Sequence, residues 1–189
     1  KDRTLIFVPR NIHHFKVVKQ CAIIESGAFC GPDLEAIAFT DDESLVMIKR
    51  CAFAHCTNIK SLTFPKSLKF LGSEAFCGCT NLETVNLDPE SELFTIPKFC
   101  FAFSGLTSIT LPASVENIQP SAFYFCLQLS QINLFETNVR FIGDHAFSNT
   151  SIQNVKFPPT VHTISRNVFD GDTKLEMVDL VALSRKNTT

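Results

Sequence analysis

The chain has 189 residues, 45 % of them apolar and 11 % aromatic, a composition that excludes an intrinsically disordered segment. Seventeen basic and 19 acidic side chains leave a formal charge of −2, which argues against a general nucleic-acid binder. The longest uncharged run, residues 117–135, is interrupted by Gln119, Pro120, Gln128, Gln131 and Asn133, so no membrane insertion is expected.

Residues 1–20 stand apart and are read as an N-terminal cap or irregular first repeat. They are locally basic, with Lys1, Arg3, Arg10, Lys16 and Lys19 against Asp2. Ile6-x-Val8-Pro9 reads as a strand and corner, but Cys21 then lies thirteen residues beyond Val8, where later copies use four to six.

From Cys21 onward one unit recurs. Phe29, Phe53, Phe76, Phe101, Phe123, Phe147 and Phe169 are separated by 24, 23, 25, 22, 24 and 22 residues. Five residues before each stands a branched aliphatic: Ile24, Ile48, Leu71, Ile96, Ile118, Ile142 or Ile164. Ala precedes the Phe in five copies, and a second apolar set follows as L-x-x-I-x-[LF], for example Leu82, Val85 and Leu87. A unit of about 23 residues cannot enclose its own apolar side chains, so it must press them against identical neighbours. The I-x-[LF] segment alternates with period two, as a half-buried strand does, and successive strands are expected side by side as a parallel sheet. The stretch from aliphatic to Phe suits a short helical or 3₁₀ turn. Where Pro65, Pro112 or Pro158 ends a strand, four residues suffice to reach the next aliphatic, because proline fixes φ and stops the ladder. The solenoid is placed at residues 21–183, with 184–189 as a C-terminal tail.

Eight cysteines are present. Cys56, Cys79 and Cys126 share the slot three after the Phe, Cys30 and Cys77 the slot one after it, and Cys21 and Cys100 occupy apolar columns. Such phasing points to mostly free, buried thiols. His55 beside Cys56 supplies metal-ligand types without four ligands aimed at one spot, so no metal and no cofactor is expected. There is no G-x-x-x-x-G-K-[ST], G-x-S-x-G or H-E-x-x-H, and no catalytic residue is assigned. Asn149-Thr-Ser and Asn187-Thr-Thr match the N-glycosylation acceptor, with Asn149 expected at a surface corner.

Binding has better material. Outward strand positions form two polar columns on the sheet, from which Thr63, Thr84, Asn86, Ser108, Thr110, Gln131, Asn133, Asn154 and Lys156 are the candidate ligand-binding residues. Short polar side chains donate and accept hydrogen bonds and lose little entropy when fixed. A second candidate is aromatic. The position two after the Phe is a turn glycine at Gly31, Gly78 and Gly171 but becomes Phe103 and Phe125 in adjacent copies, with Tyr124 beside the latter.

The phrase Leu71-Gly-Ser-Glu-Ala-Phe-Cys-Gly-Cys-Thr-Asn-Leu-Glu-Thr-Val-Asn-Leu87, and Ile142-Gly-Asp-His-Ala-Phe147, closely resemble the BspA-like, or Treponema-type, leucine-rich repeat. Gly follows the aliphatic only at Gly72 and Gly143, and the Cys slot holds Pro32, Ser104, Thr150 or Asp172 in four copies. The resemblance implies a leucine-rich-repeat solenoid: a right-handed β/α(3₁₀) superhelix of seven repeats with a parallel β-sheet on one face. It also implies a non-enzymatic module for protein contacts, often an adhesin at a cell surface, with a host or microbial protein as partner. The alternative expectation is an intracellular structural scaffold that holds assembly partners.

Overall fold

The computed structural model describes residues 4–5, 11–17, 20–39 and 44–180, which form the turns of one parallel β-solenoid. Every repeat passes through two strands. The first is two residues long and ends on the aliphatic before the Phe: Ile23–Ile24, Met47–Ile48, Phe70–Leu71, Thr95–Ile96, Asn117–Ile118, Phe141–Ile142 and Thr163–Ile164. The second falls on the I-x-[LF] segment: Ala36–Ala38, Ser61–Thr63, Thr84–Asn86, Ser108–Thr110, Gln131–Ile132, Asn154–Lys156 and Met177–Asp179. Each strand pairs in parallel with its equivalent one coil away, so Leu62, Val85, Ile109 and Ile132 lie in one row. The short strands likewise align Ile96, Ile118, Ile142 and Ile164. Register equals repeat length, and this turns sequence periodicity into spatial columns. In four of the long strands the middle residue is buried and both flanks are exposed, as a pleat with one wet face requires.

Between the short strand and the Phe the chain forms turns, not the expected short helical or 3₁₀ turn. The residue two before each Phe has left-handed backbone (Gly27, Cys51, Glu74, Phe99, Ser121, His145, Asn167), and so has the residue two after it (Gly31, His55, Gly78, Phe103, Phe125, Asn149, Gly171). Left-handed residues cannot continue a right-handed 3₁₀ helix. Instead two hydrogen-bond systems alternate. Phe76 N–H donates to Cys100 O in the next coil at 2.8 Å, Glu74 and Gly78 do the same to Lys98 and Ala102, while Ala75 and Cys77 bond back three residues to Gly72 and Glu74. Every second amide thus stitches neighbouring coils, and every other one closes a local turn. Among the described residues the 3₁₀ helix is Leu134–Glu136, in the corner after Gln131–Ile132.

The seven rings form an unbroken stack down the interior. Consecutive centroids are 4.9–5.6 Å apart with planes within 13°, close to the strand spacing of about 4.8 Å. Phe53 to Phe147 are fully buried. Beside the rings, Cys56, Cys79 and Cys126 donate Sγ–H to Phe29 O, Phe53 O and Phe101 O, each at 3.0 Å. At the proline corners Pro65, Pro112 and Pro158 each accept from the N–H of Leu68, Val115 or Val161 at 3.1 Å, closing the tight turn anticipated from spacing. Hydroxyls just before the aliphatic tie these corners to the preceding coil: Ser67 to Leu45 O, Ser114 to Ser91 O and Thr160 to Val139 O.

The first coil keeps phase. Thr4–Leu5 pairs with Ile23–Ile24, and His14–Lys16 pairs with Ala36–Ala38. Phe15 therefore takes the place of Ile37, Val17 that of Phe39, and Cys21 follows Val17 at the ordinary four-residue spacing. The strand His14–Lys16 fills the thirteen-residue gap expected after Val8. The Ile6-x-Val8-Pro9 segment, the end of the solenoid after residue 180 and the 184–189 tail lie outside the described residues.

Candidate functional site

The long strands present their outward residues as two rows. In repeat phase one row runs Lys16, Ala38, Thr63, Asn86, Thr110, Asn133, Lys156, Asp179, and the other His14, Ala36, Ser61, Thr84, Ser108, Gln131, Asn154, Met177, with the strand pairing interrupted after Ala36–Ala38 and after Gln131–Ile132. Eight of the nine candidate binding residues are exposed. The exception is Asn133, half-buried at backbone that has left the extended region (φ −89°, ψ 45°). Its side-chain carbonyl accepts from Leu111 N–H at 2.7 Å and its amide donates to Leu111 O at 3.0 Å, replacing ladder bonds where the sheet is interrupted. Two others have neighbours of their own: Asn86 Nδ2 donates to Thr63 Oγ1 at 3.1 Å, and Lys156 Nζ sits 3.9 Å above the Phe135 ring. Near the N-terminal end of this face lies a depression of about 560 Å³ lined by His14, Glu35, Ala36, Asn58, Lys60 and Ser61. His13 Nδ1 stands 3.1 Å from Glu35 there.

Phe103, Tyr124 and Phe125 come together at the outer corner of the arm, the segment of each repeat that runs from the short strand through the Phe to the left-handed residue two after it. Phe103 lies 5.5 Å from both Tyr124 and Phe125, and Tyr124 meets Phe125 at 4.7 Å, all in tilted or edge geometry. His145 joins at 6.2 Å from Tyr124. Phe103 remains 44 % exposed, and the other two rings are half-buried. Both phenylalanines hold φ near +57°, a conformation that costs a bulky L-residue about 1–2 kcal/mol. The rest of that slot shows how the corner is ordinarily filled: the His55 ring lies on Gly78 and the Asn149 amide on Gly171, where any Cβ would collide.

Cys21, Cys56, Cys79, Cys100 and Cys126 are buried, Cys51 and Cys77 are half-buried, and Cys30 is exposed. Burial pushes Cys77 up to about 11 and Cys126 up to about 12, and Cys56, hydrogen-bonded to Cys79 and buried, is also pushed up. Thiols held protonated are poor nucleophiles and poor metal ligands. His55 is exposed and turned over Gly78, away from the buried Cys56 that bonds Phe29 O, so this neighbouring pair does not converge. Among the described residues no group of three or more His, Cys, Asp and Glu could hold a metal ion. No helix of the described residues is long and apolar enough to cross a membrane.

The model of the BspA type leucine rich repeat region, built of six copies, matches residues 5–118 and 94–185. The chain belongs to this family. Among solved structures, a leucine-rich repeat protein from Bacteroides ovatus is similar with 27 % identity and a TM-score of 0.70, over 89 % of this chain and 49 % of that one. The pneumococcal vaccine antigen PcpA is similar with 17 % identity and a TM-score of 0.61, over 93 % and 62 %. A leucine-rich repeat protein from Eubacterium ventriosum gives 17 %, 0.61, 93 % and 44 %. The chain thus spans between two-fifths and two-thirds of the length of these structures. No curated protein matches it.

Two features of this leucine-rich repeat chain escaped the sequence reading. The outward row of the short strands carries Ile23, Met47 and Phe70 side by side, and Phe70 is 53 % exposed above a depression of about 440 Å³ shared with Lys49, Arg50 and Gly72. The rim charges are matched, Lys49 to Glu25 at 2.6 Å and Arg50 to Glu74 at 3.0 Å. The second feature concerns the glycosylation triplet. Asn149 is half-buried, its amide donates to Ser148 Oγ at 3.1 Å, and the Ser151 hydroxyl is bound to Leu127 O. The corner is at the surface, but the acceptor is packed into it. Asn187 lies outside the described residues.

Proposed function

We propose that this leucine-rich repeat region is a non-enzymatic protein-binding module of the surface-adhesin kind, engaging another protein through the polar rows of its long ladder. The observation that carries the reading is the exposure of Thr63, Thr84, Asn86, Ser108, Thr110, Gln131, Asn154 and Lys156 at one-coil intervals along hydrogen-bonded parallel strands. Rigid presentation lowers the entropy lost on association. The aromatic corner of Phe103, Tyr124 and Phe125 supplies an anchor of the type that dominates interface energies, and its backbone strain supports selection for something other than stability.

The test is retention of a partner from surface extracts by the immobilised protein. Thr84→Arg with Thr110→Arg introduces bulk and charge on exposed positions, so the melting midpoint should stay unchanged while the retained protein is lost. Undiminished retention refutes the assignment to this face. A scaffold in a reducing compartment is the second reading, favoured by the burial of Cys56, Cys79, Cys100 and Cys126 as thiols in the core. Thiol titration of protein isolated from its source separates the two.

A further inference from the structure

The long ladder is interrupted between Ala36–Ala38 and Ser61–Thr63. The first pairs with His14–Lys16 and the second with Thr84–Asn86, but the two do not pair with each other. Elsewhere the carbonyl just before a long strand receives the N–H groups of two successive residues one coil on: His13 O takes Glu35 and Ala36, Lys60 O takes Glu83 and Thr84, and Gln153 O takes Glu176 and Met177. At the interruption the equivalent carbonyl is Glu35 O, and the amides that would fill it are those of Lys60 and Ser61. Among the described residues none of these three backbone groups has a hydrogen-bond partner. Glu35, Lys60 and Ser61 all line the depression of about 560 Å³ at this end of the sheet. The space above them comes from size, because Ala36 stands where the same row carries Ser61, Thr84, Ser108 and Gln131 in later coils.

Charge does not select an ion here. Lys60 is exposed, and the Glu35 carboxylate stands 3.1 Å from His13 and 4.0 Å from His14. An incoming anion would therefore meet a carboxylate, and an incoming cation an ammonium. The unfilled groups call instead for a neutral partner that donates on one side and accepts on the other. The chain already shows which group does this. After Ser61–Thr63 the rung is closed by backbone, with Phe64 N–H donating to Asn86 O at 3.0 Å. At the corresponding place one break further on, the Asn133 side chain takes over: its carbonyl accepts from Leu111 N–H at 2.7 Å and its amide donates to Leu111 O at 3.0 Å. A carboxamide thus stands in for a rung that the backbone does not make.

We propose that the recess between these coils takes an asparagine or glutamine side chain of the protein partner, which donates to Glu35 O and accepts from the N–H of Lys60 or Ser61. The inference rests on the reading of this face as protein-binding and names the chemistry of one group it recognises. Selectivity follows from the pairing, since a group lacking either the donor or the acceptor leaves a polar atom unsatisfied.

The test uses a small probe, N-acetylglutamine N-methylamide, titrated into the isotope-labelled 189-residue chain and followed through its amide resonances. A single side chain of this size binds in the millimolar range. Saturating shifts should be confined to the residues around the recess, with Lys60 and Ser61 foremost. N-acetylglutamate N-methylamide differs only in carrying a carboxylate for the carboxamide and should bind about fivefold more weakly or worse. Ala36→Arg fills the recess from an exposed position, so it should abolish the shifts and leave the melting midpoint unchanged; should the midpoint fall, Ser61→Arg takes its place. Equal binding of the two probes, shifts that persist in the filled variant, or the absence of any saturating shift overturns the proposal. Because the probe is not the partner, such a failure leaves the retention assay on Thr84 and Thr110 to decide the wider reading by itself.

Discussion

Truncating one ring of the interior stack measures how far the repeat is held by its phenylalanines. Phe101 is fully buried, with Phe76 at 5.3 Å on one side and Phe123 at 5.5 Å on the other, both nearly parallel. Phe101→Ala removes the transfer energy of a buried ring and leaves a cavity between two rigid neighbours, together about 3–5 kcal/mol. The backbone cannot collapse into the gap, because Phe101 N–H is bonded to Ala122 O and Cys100 O receives Phe76 N–H, so the upper part of that range applies. For a chain of this size each kcal/mol moves the melting midpoint by about 2–4 °C, giving a fall on the order of 10 °C or more. Phe169 stacks on a single ring of the series, Phe147 at 5.6 Å, and is only partly buried, so Phe169→Ala should cost roughly half as much by the same transfer argument. Chemical denaturation of both variants beside the wild type is the assay. Equal losses at the centre and the end, or a loss at Phe101 below about 2 kcal/mol, would refute a stack whose energy comes from neighbours on both sides.

Three further outcomes follow from the arms and the thiols. Gly143→Ala should destabilise by about 1–3 kcal/mol, because the new Cβ meets the backbone of Pro120 in the neighbouring coil and neither can yield; an unchanged denaturation midpoint would contradict that close approach. Ser121→Gly should raise stability by a few tenths to about 1 kcal/mol, since Ser121 is held at φ +58° where glycine carries no Cβ penalty, and a drop in midpoint would show the serine hydroxyl to matter more than the strain. The third is alkaline sensitivity. Cys126 in the folded chain is raised to about 12 by burial, so folding holds its proton while the unfolded chain loses it. Its contribution is complete below about pH 8.5 and is lost as pH rises toward the folded value, by about 1.4 kcal/mol per pH unit. Cys126→Ala should flatten the dependence of stability on pH between 9 and 11 relative to wild type, and parallel curves would argue against a retained proton.

The rows of the core were legible because each apolar column repeats one chemical type at one phase: seven Phe, seven aliphatics five residues earlier, and Pro where the corner is shortest. The arm conformation was not. Left-handed backbone announces itself through glycine, and only Gly27, Gly31, Gly78 and Gly171 of the fourteen flanking positions are glycine; Glu74, Phe99 and Ser121 carry no such signal. They accept the strain because their amides have coil-to-coil partners that no right-handed turn would supply. The first coil was hidden for a related reason. Arg10 stands five residues after Leu5, where every other copy has Phe, so the phase marker is missing although Phe15 and Val17 hold their rows.

The polar rows were legible in sequence by the same period-two rule that placed the core, but the rule assigns a side and not a role. Asn133 shows the limit. It sits in phase with Thr110 and Lys156, yet its amide repairs a ladder where the backbone turns into Leu134–Glu136, and no pattern of apolar residues encodes that diversion. Phe103 and Phe125 show the converse. Replacement of a turn glycine by Phe in two adjacent copies was visible in the sequence, and the coordinates add the strain that makes the replacement costly without a compensating use. Phe103→Gly with Phe125→Gly relieves that strain and removes the rings together, so a protein that melts no lower but loses its partner would tie the corner to binding. One that melts markedly lower and keeps its partner would make the three rings internal packing and leave recognition to the sheet.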